Sequence, residues 1–301
     1  MGCCDQANHQ AVIIGGKTFR EVSHHCWDTG QRLADMQTEG VDRQVLSPMP
    51  ELLSYWFDTD DALRMCHHIN ETIATMVASS PEHFYGLGMV PMQDPELAAK
   101  EMARLKKDYG LAGIEVGTNI NGRPIGDAFF EPVFAAAVEH DLAIFVHALH
   151  PAGTERLIGP PVMAALAAFP NENAFAVASM LSGGMLTRYP DLRIAFSHGG
   201  GGFGLMLPRL MHGWRAMGDR LFAESPLEMA RRLYYDTLVY DTPALSYLIE
   251  LFGLEQLMIG SDYPFIIREI EPGKRLLELG LSESELTLLQ SGNARRFLNA
   301  N

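Results

Sequence analysis

Three polar side chains come at the ends of short apolar runs, and their chemistry suits a metal or acid–base site. His147 ends the first run, His198 follows the second and Asp262 follows the third; the runs span residues 143–147, 193–197 and 257–260. In a parallel α/β barrel the carboxyl ends of the strands share one face, where active sites lie. Neutral imidazole and carboxylate are ligands of zinc and related divalent ions. The pattern therefore predicts a metal-dependent site at the mouth of a barrel.

Four glycines, Gly199–Gly202, directly follow His198. Their spacing is not the GxGxxG pattern of a phosphate-binding loop, although a flexible turn and a phosphate cradle remain alternative interpretations. Because glycine has no side chain, we expect closely approaching backbone beside a catalytic imidazole. Five further histidines are interpreted as structural or solvated: His24, His25, His67, His68 and His150.

Two arginines could hold an anionic substrate. The chain has 23 Lys and Arg against 37 Asp and Glu, a net charge of −14, so local cations must hold a carboxylate against the overall field. Arg209 follows the glycines by seven residues in an apolar helical segment, and Arg20 lies near the N-terminus. A guanidinium can bind a carboxylate through two hydrogen bonds. From spacing alone, a surface or ion-pairing arginine is the favoured interpretation for each.

The elements that position these residues alternate between strand and helix. Apolar runs rich in strand formers are separated by segments with apolar residues at i, i+3 and i+4, which is typical of repeated βα units and a parallel sheet. Seven strands are predicted, at residues 42–47, 84–90, 112–117, 143–147, 193–197, 234–239 and 257–260. Crossover helices are predicted at residues 60–78, 95–109, 129–140 and 243–252.

Seven strands are one fewer than an eight-stranded barrel needs to close, and the missing strand should come first. The residues before Asp42 include two short alternating runs around Gly15-Gly16, which predict a β-hairpin, and residues 27–40 predict a helix. The predicted fold class is therefore α/β, a (β/α)8 TIM barrel that lacks its first strand and carries a small N-terminal hairpin insertion. We expect one domain over residues 1–301, with residues 1–30 as the insertion-like segment and 31–301 as the barrel.

The composition limits location and partners. The 301 residues are 47% hydrophobic and 20% charged, which is ordinary for a globular chain. The acidic charge argues against nucleic acid and anionic membranes as partners. We find neither a signal peptide nor an apolar run of the ~18 residues that span a bilayer, so a cytoplasmic location is expected. The four cysteines lack CxxC spacing and fit reduced thiols.

Several motifs, in this order, resemble the aminocarboxymuconate-semialdehyde decarboxylase family of the amidohydrolase superfamily. The similarity covers nearly the whole chain. The segments that carry it are Gly16–Arg20, Trp27-Asp28, Gly40–Val45, Val90–Pro95, Phe145–His147, Phe196–Gly201, Arg209 and Gly260–Phe265.

The resemblance implies a metal-dependent, oxygen-independent decarboxylase, a carbon–carbon lyase, acting on an unsaturated or aromatic-derived carboxylic acid. His147 and Asp262 would be ligands of Zn²⁺ or another divalent metal, and His198 would be the general acid/base. Arg20 and Arg209 would bind the small-molecule carboxylate substrate. Arg209 would reach the neighbouring subunit's site in a homodimer.

Two departures from the family keep other functions open. The family's first strand carries a His-x-His pair that binds the metal, and this sequence contains no His-x-His. The chain could thus be a metal-poor, inactive binding protein, or its start could be misplaced by about thirty residues, one strand and part of an insertion. Residues 148–151, which line the family's pocket, also differ from its usual Pro-Trp, so a hydrolase or hydratase is an alternative.

Overall fold

The structure is a computed structural model that describes residues 2–3, 8–218 and 222–300. Its strands are β1 (Gly2–Cys3), β2 (His9–Ile14), β3 (Lys17–Ser23), β4 (Gln44–Leu46), β5 (Phe84–Gly88), β6 (Gly113–Gly117), β7 (Asn119–Ile120), β8 (Arg123–Pro124), β9 (Ala143–His147), β10 (Ile194–Phe196), β11 (Tyr234–Asp236) and β12 (Leu257–Met258). Its α-helices are α1 (Thr29–Glu39), α2 (Thr59–Ser79), α3 (Pro95–Lys107), α4 (Glu131–Glu139), α5 (Phe169–Ser182), α6 (Met185–Arg188), α7 (Phe203–Met217), α8 (Pro226–Ala230), α9 (Thr242–Phe252), α10 (Glu283–Thr287) and α11 (Asn293–Leu298).

Seven of the strands form one parallel sheet in the order β12-β11-β10-β9-β6-β5-β4. All residues of β6 and β10 are buried, as expected for strands covered on both faces. Each strand of this sheet overlaps one of the seven predicted strands, so the α/β prediction with a parallel sheet is confirmed. Among the described residues the sheet ends at β4 on one side and at β12 on the other.

The helices connect successive strands and cover the sheet. Asp58, Asp94 and Asp241 precede α2, α3 and α9, and each side chain accepts a hydrogen bond from a first-turn backbone N–H. Such caps satisfy donors that the helix itself leaves unpaired. These helices overlap the predicted ones. In the part of the chain that the structure describes, none of the helices has both the length and the apolar character needed to cross a bilayer.

Residues 9–23 form an antiparallel pair outside the parallel sheet. Strands β2 and β3 pair around Gly15-Gly16, whose φ angles are +57° and +77°. Two consecutive positive φ angles are typical of the tight turns that join hairpin strands. This pair precedes α1, and it carries Arg20 toward the sheet.

A small apolar cluster fills one end of the sheet and leaves the polar residues at the other. Ala143 and Tyr234, the first residues of β9 and β11, belong to it together with Phe297 and Leu298 of α11. The rings of Tyr234 and Phe297 lie 5.3 Å apart. The first residues of β9 and β11 therefore pack against α11, whereas His147 lies at the opposite end of β9.

Candidate active site at the carboxyl ends of the strands

His147 is the last residue of β9, and its ring is fixed by three contacts. Its Nδ1 lies 3.0 Å from the carbonyl oxygen of Ala148, so Nδ1–H can donate there and leave Nε2 as the free lone-pair atom. The ring meets those of Phe169 and His198 edge to face, with centroids 6.2 Å and 5.2 Å away. A histidine held in this way has one nitrogen prepared to bind a metal or accept a proton.

His198 lies two residues beyond β10, where the backbone turns sharply. Its φ is +54°, and Gly199, Gly200 and Gly201 also have positive φ. A Cβ on Gly201 would overlap the carbonyl group of Pro170. The closely approaching backbone predicted from the glycines is confirmed. His198 Nε2 is buried and has no hydrogen-bond partner among the described residues.

Asp262 follows β12 by four residues and also has a positive φ, +60°. Its carbonyl oxygen accepts the N–H of Phe265 at 2.9 Å. The side chain is half-buried, and its charge acts on both His147 and His198. The structure thus brings together the three residues that the sequence placed at strand ends.

Burial keeps both histidines neutral near physiological pH. It lowers the pKa of His147, and the neighbouring His198 lowers that pKa further, while Asp262 acts in the opposite direction. Burial also lowers the pKa of His198, against the charge of Asp262. Neutral imidazole is the form that binds metals and accepts protons.

The donor set fits part of a divalent metal site. The orphaned His198 Nε2 and the oriented His147 show a buried polar space facing Asp262. Zinc sites use three or four protein ligands. However, over residues 8–218 and 222–300 no three His, Cys, Asp or Glu side chains are grouped closely enough to hold a metal ion. His147 and Asp262 would provide two ligands of the metal. The remaining coordination positions would need donors other than these side chains.

Glu115 and Glu51 are two buried carboxyls that are not among the site residues predicted from the sequence. Glu115 lies in the middle of β6, is 2% exposed, and its Oε1 has no partner among residues 8–218 and 222–300. Burial raises its pKa to about 8, despite a hydrogen bond from Ser47. Glu51 and Asp262 raise this pKa further. The signal was present in the sequence, since Glu115 interrupts an otherwise apolar strand.

Arg20 is joined to this group. A nitrogen of its guanidinium lies 3.4 Å from Glu51 Oε1, and the guanidinium stacks over the ring of Phe265, 5.1 Å from its centroid. Phe265 belongs to the loop that carries Asp262. The cation predicted for the substrate carboxylate therefore lies beside the site.

Arg209 is placed differently. It lies in the middle of α7 and is exposed, and no hydrogen bond or ion pair of its side chain occurs within the described part of the chain. Leu205, one turn earlier on the same helix, is also exposed. Its cationic group therefore points away from the packed interior.

The loop after His147 is held by buried polar contacts. Glu172 accepts hydrogen bonds from the N–H of Ala152 and from Asn119, both at 3.0 Å, and Asn119 also donates to Leu149 O at 2.8 Å. His150, interpreted as structural or solvated, is exposed and packs against Trp56, with ring centroids 4.9 Å apart and planes tilted by 34°. These hydrogen bonds therefore hold the loop in a defined conformation next to the site.

Comparisons with known proteins find a matching family model and several related enzymes. The amidohydrolase family model matches residues 21–300. A 2-amino-3-carboxymuconate-6-semialdehyde decarboxylase of Dictyostelium discoideum is 35% identical over 292 residues, covering 95% of this chain and 81% of that protein. A 2-keto-4-carboxy-3-hexenedioate hydratase of Sphingobium sp. is 25% identical and covers 87% of this chain and 79% of its own length.

Solved structures show the same similarity. The 5-carboxyvanillate decarboxylase of Sphingomonas paucimobilis is 30% identical with a TM-score of 0.81, covering 91% of this chain and 84% of that one. A 5-carboxyvanillate decarboxylase of Novosphingobium aromaticivorans, complexed with manganese and a nitrobenzoic acid, is 25% identical with a TM-score of 0.79. It covers 90% of this chain and 80% of that one.

Proposed function

Because the chain belongs to the amidohydrolase family, we propose that it is a metal-dependent, oxygen-independent decarboxylase, a carbon–carbon lyase. Its substrate is an unsaturated or aromatic-derived carboxylic acid of the aminocarboxymuconate-semialdehyde type. The observation that carries this proposal is the buried, unpartnered Nε2 of His198 beside His147 and Asp262. The decarboxylases among its relatives support the reaction class.

Two residues of this chain would hold the metal. His147 Nε2 and the carboxylate of Asp262 are suitable ligands for Zn²⁺ or Mn²⁺, and manganese is bound by the related carboxyvanillate decarboxylase. When bound, such an ion supplies Lewis acidity that polarises substrate and water. We assign the barrel to residues 31–301 and the insertion-like segment to residues 1–30; the parallel order of strands β4 to β12 supports the barrel assignment.

His198 moves the proton. As a neutral imidazole it takes a proton on Nε2 from water and gives it to the substrate carbon that bears the carboxylate. The electron pair of the carbon–carbon bond then stays on that carbon as carbon dioxide leaves. The water that gives the proton is left as hydroxide, so the substrate carboxylate and one water yield the decarboxylated product, carbon dioxide and hydroxide, with no oxidant. No protein group among the described residues competes for Nε2, so this atom is available for the proton.

Arg20 positions the carboxylate of the substrate. Its guanidinium already pairs with Glu51 and stacks on Phe265, so it lies beside the site before substrate binds. Arg209, exposed among apolar side chains of α7, would serve the site of a second copy in a homodimer. The proposed enzyme acts on a small molecule in the cytoplasm.

A hydratase is the second candidate, favoured by the 25% identity to the hexenedioate hydratase. The same residues would then add water across the conjugated system without loss of carbon dioxide. A metal-poor binding protein is the third, favoured by the absence of a three-residue ligand group in the described residues.

One assay separates the three. The purified chain is given Mn²⁺ or Zn²⁺ and a panel of muconate-type and hydroxybenzoate-type acids, and both carbon dioxide release and ¹⁸O incorporation from water are measured. A decarboxylase releases carbon dioxide without retaining ¹⁸O in the product. A hydratase retains ¹⁸O, and a binding protein does neither.

A further inference from the structure

Asp236, the last residue of β11, is a buried carboxylate that the proposed reaction does not use. It is 5% exposed. Its Oδ1 accepts the backbone N–H of Gly199 at 2.9 Å and that of Leu238 at 3.0 Å, and the N–H of His198 also donates to this carboxylate. Hydrogen bonds to an ionised acceptor are about twice as strong as neutral ones.

These bonds hold a turn that is unfavourable by itself. His198 and the three glycines after it have φ angles of +54°, +60°, +71° and +60°. For a residue with a Cβ, the left-handed region is sterically unfavourable. Consecutive N–H groups in such turns converge on a concave surface that binds anions. The carboxylate of Asp236 occupies that surface.

Asp236 also lies against the chain that leads to Asp262. A Cβ on Gly260 would be 2.9 Å from the Cβ, Cγ and Oδ2 atoms of Asp236. Gly260 is two residues before Asp262, and the neighbouring strands are joined where Thr237 N–H donates to Met258 O at 2.8 Å. One side chain therefore contacts the turn of His198 and the backbone that leads to Asp262.

We propose that Asp236 is a positioning residue that sets the imidazole of His198 relative to Asp262 by fixing the His198 turn. It acts through the backbone and does not touch the reacting atoms. This inference rests on the proposed function only in assigning proton transfer to His198. A misplacement of about 1 Å at a catalytic group can lower turnover by roughly a hundredfold.

The structural test is amide hydrogen exchange, which does not depend on activity. In Asp236→Ala, exchange at His198 and Gly199 should accelerate by roughly tenfold or more, because bonds to a charged acceptor are lost. Asp236→Asn keeps an oxygen acceptor and should retain most of the protection. Asp94→Ala is the matched control, since Asp94 also accepts a backbone N–H, from Leu97 at 3.1 Å, but outside the site. It should leave the His198 and Gly199 amides unchanged.

The kinetic test uses the same variants in the metal-loaded chain. Asp236→Ala should lower kcat by roughly a hundredfold and change KM by less than about threefold, and Asp236→Asn should restore most of kcat.

Unchanged exchange and kcat in folded Asp236→Ala would overturn the proposal. If Asp236→Ala does not fold, Asp236→Asn decides: near-normal exchange and kcat support the role, whereas a large fall in kcat with intact protection overturns it. If the wild-type chain releases no carbon dioxide, the proposed function fails, and the exchange arm still decides the role of Asp236.

Discussion

The rings of His147 and His198 meet edge to face, with centroids 5.2 Å apart and planes at 71°. His147 ends β9, and His198 begins the turn after the adjacent strand β10. Because these strands pair in parallel, the two imidazoles lie at a similar height along the strand direction. His147 is anchored through Nδ1, and His198 presents a buried Nε2 that has no partner in the described part of the chain. The two histidines thus suit different tasks, metal binding and proton transfer.

Replacing His198 tests the proton-transfer role. His198→Ala should lower kcat by at least about a hundredfold, the usual contribution of general acid–base catalysis. Metal content should not change, because His147 and Asp262 remain. The measurements are carbon dioxide release and metal analysis by mass spectrometry. His83→Ala is the control, because His83 lies just before β5 with a side chain 44% exposed; wild-type turnover in His198→Ala would contradict the role.

Removing Arg20 should weaken substrate binding. Arg20→Ala should raise KM by roughly ten- to a hundredfold, because a charge-assisted hydrogen bond to the carboxylate is lost. Arg20→Lys should recover only part of this, since lysine lacks the planar fork. Arg123→Ala is a matched control: Arg123 also pairs with an acid, Asp127 at 3.3 Å, and stacks on a phenylalanine. Steady-state kinetics in which both arginine variants behave alike would refute the assignment.

Glu115 should make stability depend on pH. Burial raises its pKa to about 8 from an ordinary 4.5, so the folded protein keeps a proton that the unfolded chain releases between these values. Its contribution to stability is fully present below about pH 4.5 and is lost as the pH rises through 8. Glu115→Gln cannot ionise there, so its free energy of unfolding should rise relative to wild type from pH 5 to 8.5.

Urea denaturation at several pH values measures this difference for Glu115→Gln. Glu250→Gln, at an exposed position on α9, is the control and should show no such trend. A constant difference between Glu115→Gln and wild type over this range would show that Glu115 is ionised in the folded protein.

Adding one methyl group to the glycine turn should be costly. Gly201→Ala places a Cβ on the carbonyl group of Pro170 at a φ of +60°, so overpacking and backbone strain together should destabilise the fold by about 2–4 kcal/mol. Gly122→Ala is the control, because its φ is +83° but nothing lies within 4 Å of the added atom. It should cost about 1–2 kcal/mol, from strain alone. Equal losses in thermal denaturation would mean that the contact with Pro170 is not fixed.

The sequence was sufficient for features that depend on local pattern. Apolar runs predicted the seven strands, and the position of His147, His198 and Asp262 after three of them predicted that they would meet. The four glycines predicted close backbone approach, which the contact of Gly201 with Pro170 confirms.

Features that depend on long-range packing could not be predicted. The carboxylate of Asp236 reaches Gly199 across 37 residues of sequence, and nothing near Asp236 in the chain indicates this partner. The raised pKa of Glu115 depends on burial by elements from several parts of the chain. The ion pair of Arg20 with Glu51 likewise forms only when β3 packs near the sheet. Spacing alone therefore could not separate Arg20 from a surface arginine.

The most direct test of the account is carbon dioxide release by the purified chain, measured with and without added Mn²⁺ or Zn²⁺, on aminocarboxymuconate-type and hydroxybenzoate-type acids. We expect metal-stimulated release of one carbon dioxide per substrate consumed, abolished by a chelator and by His198→Ala. Consumption of substrate without carbon dioxide, or no turnover by a chain that retains its bound metal, would contradict the proposed decarboxylase.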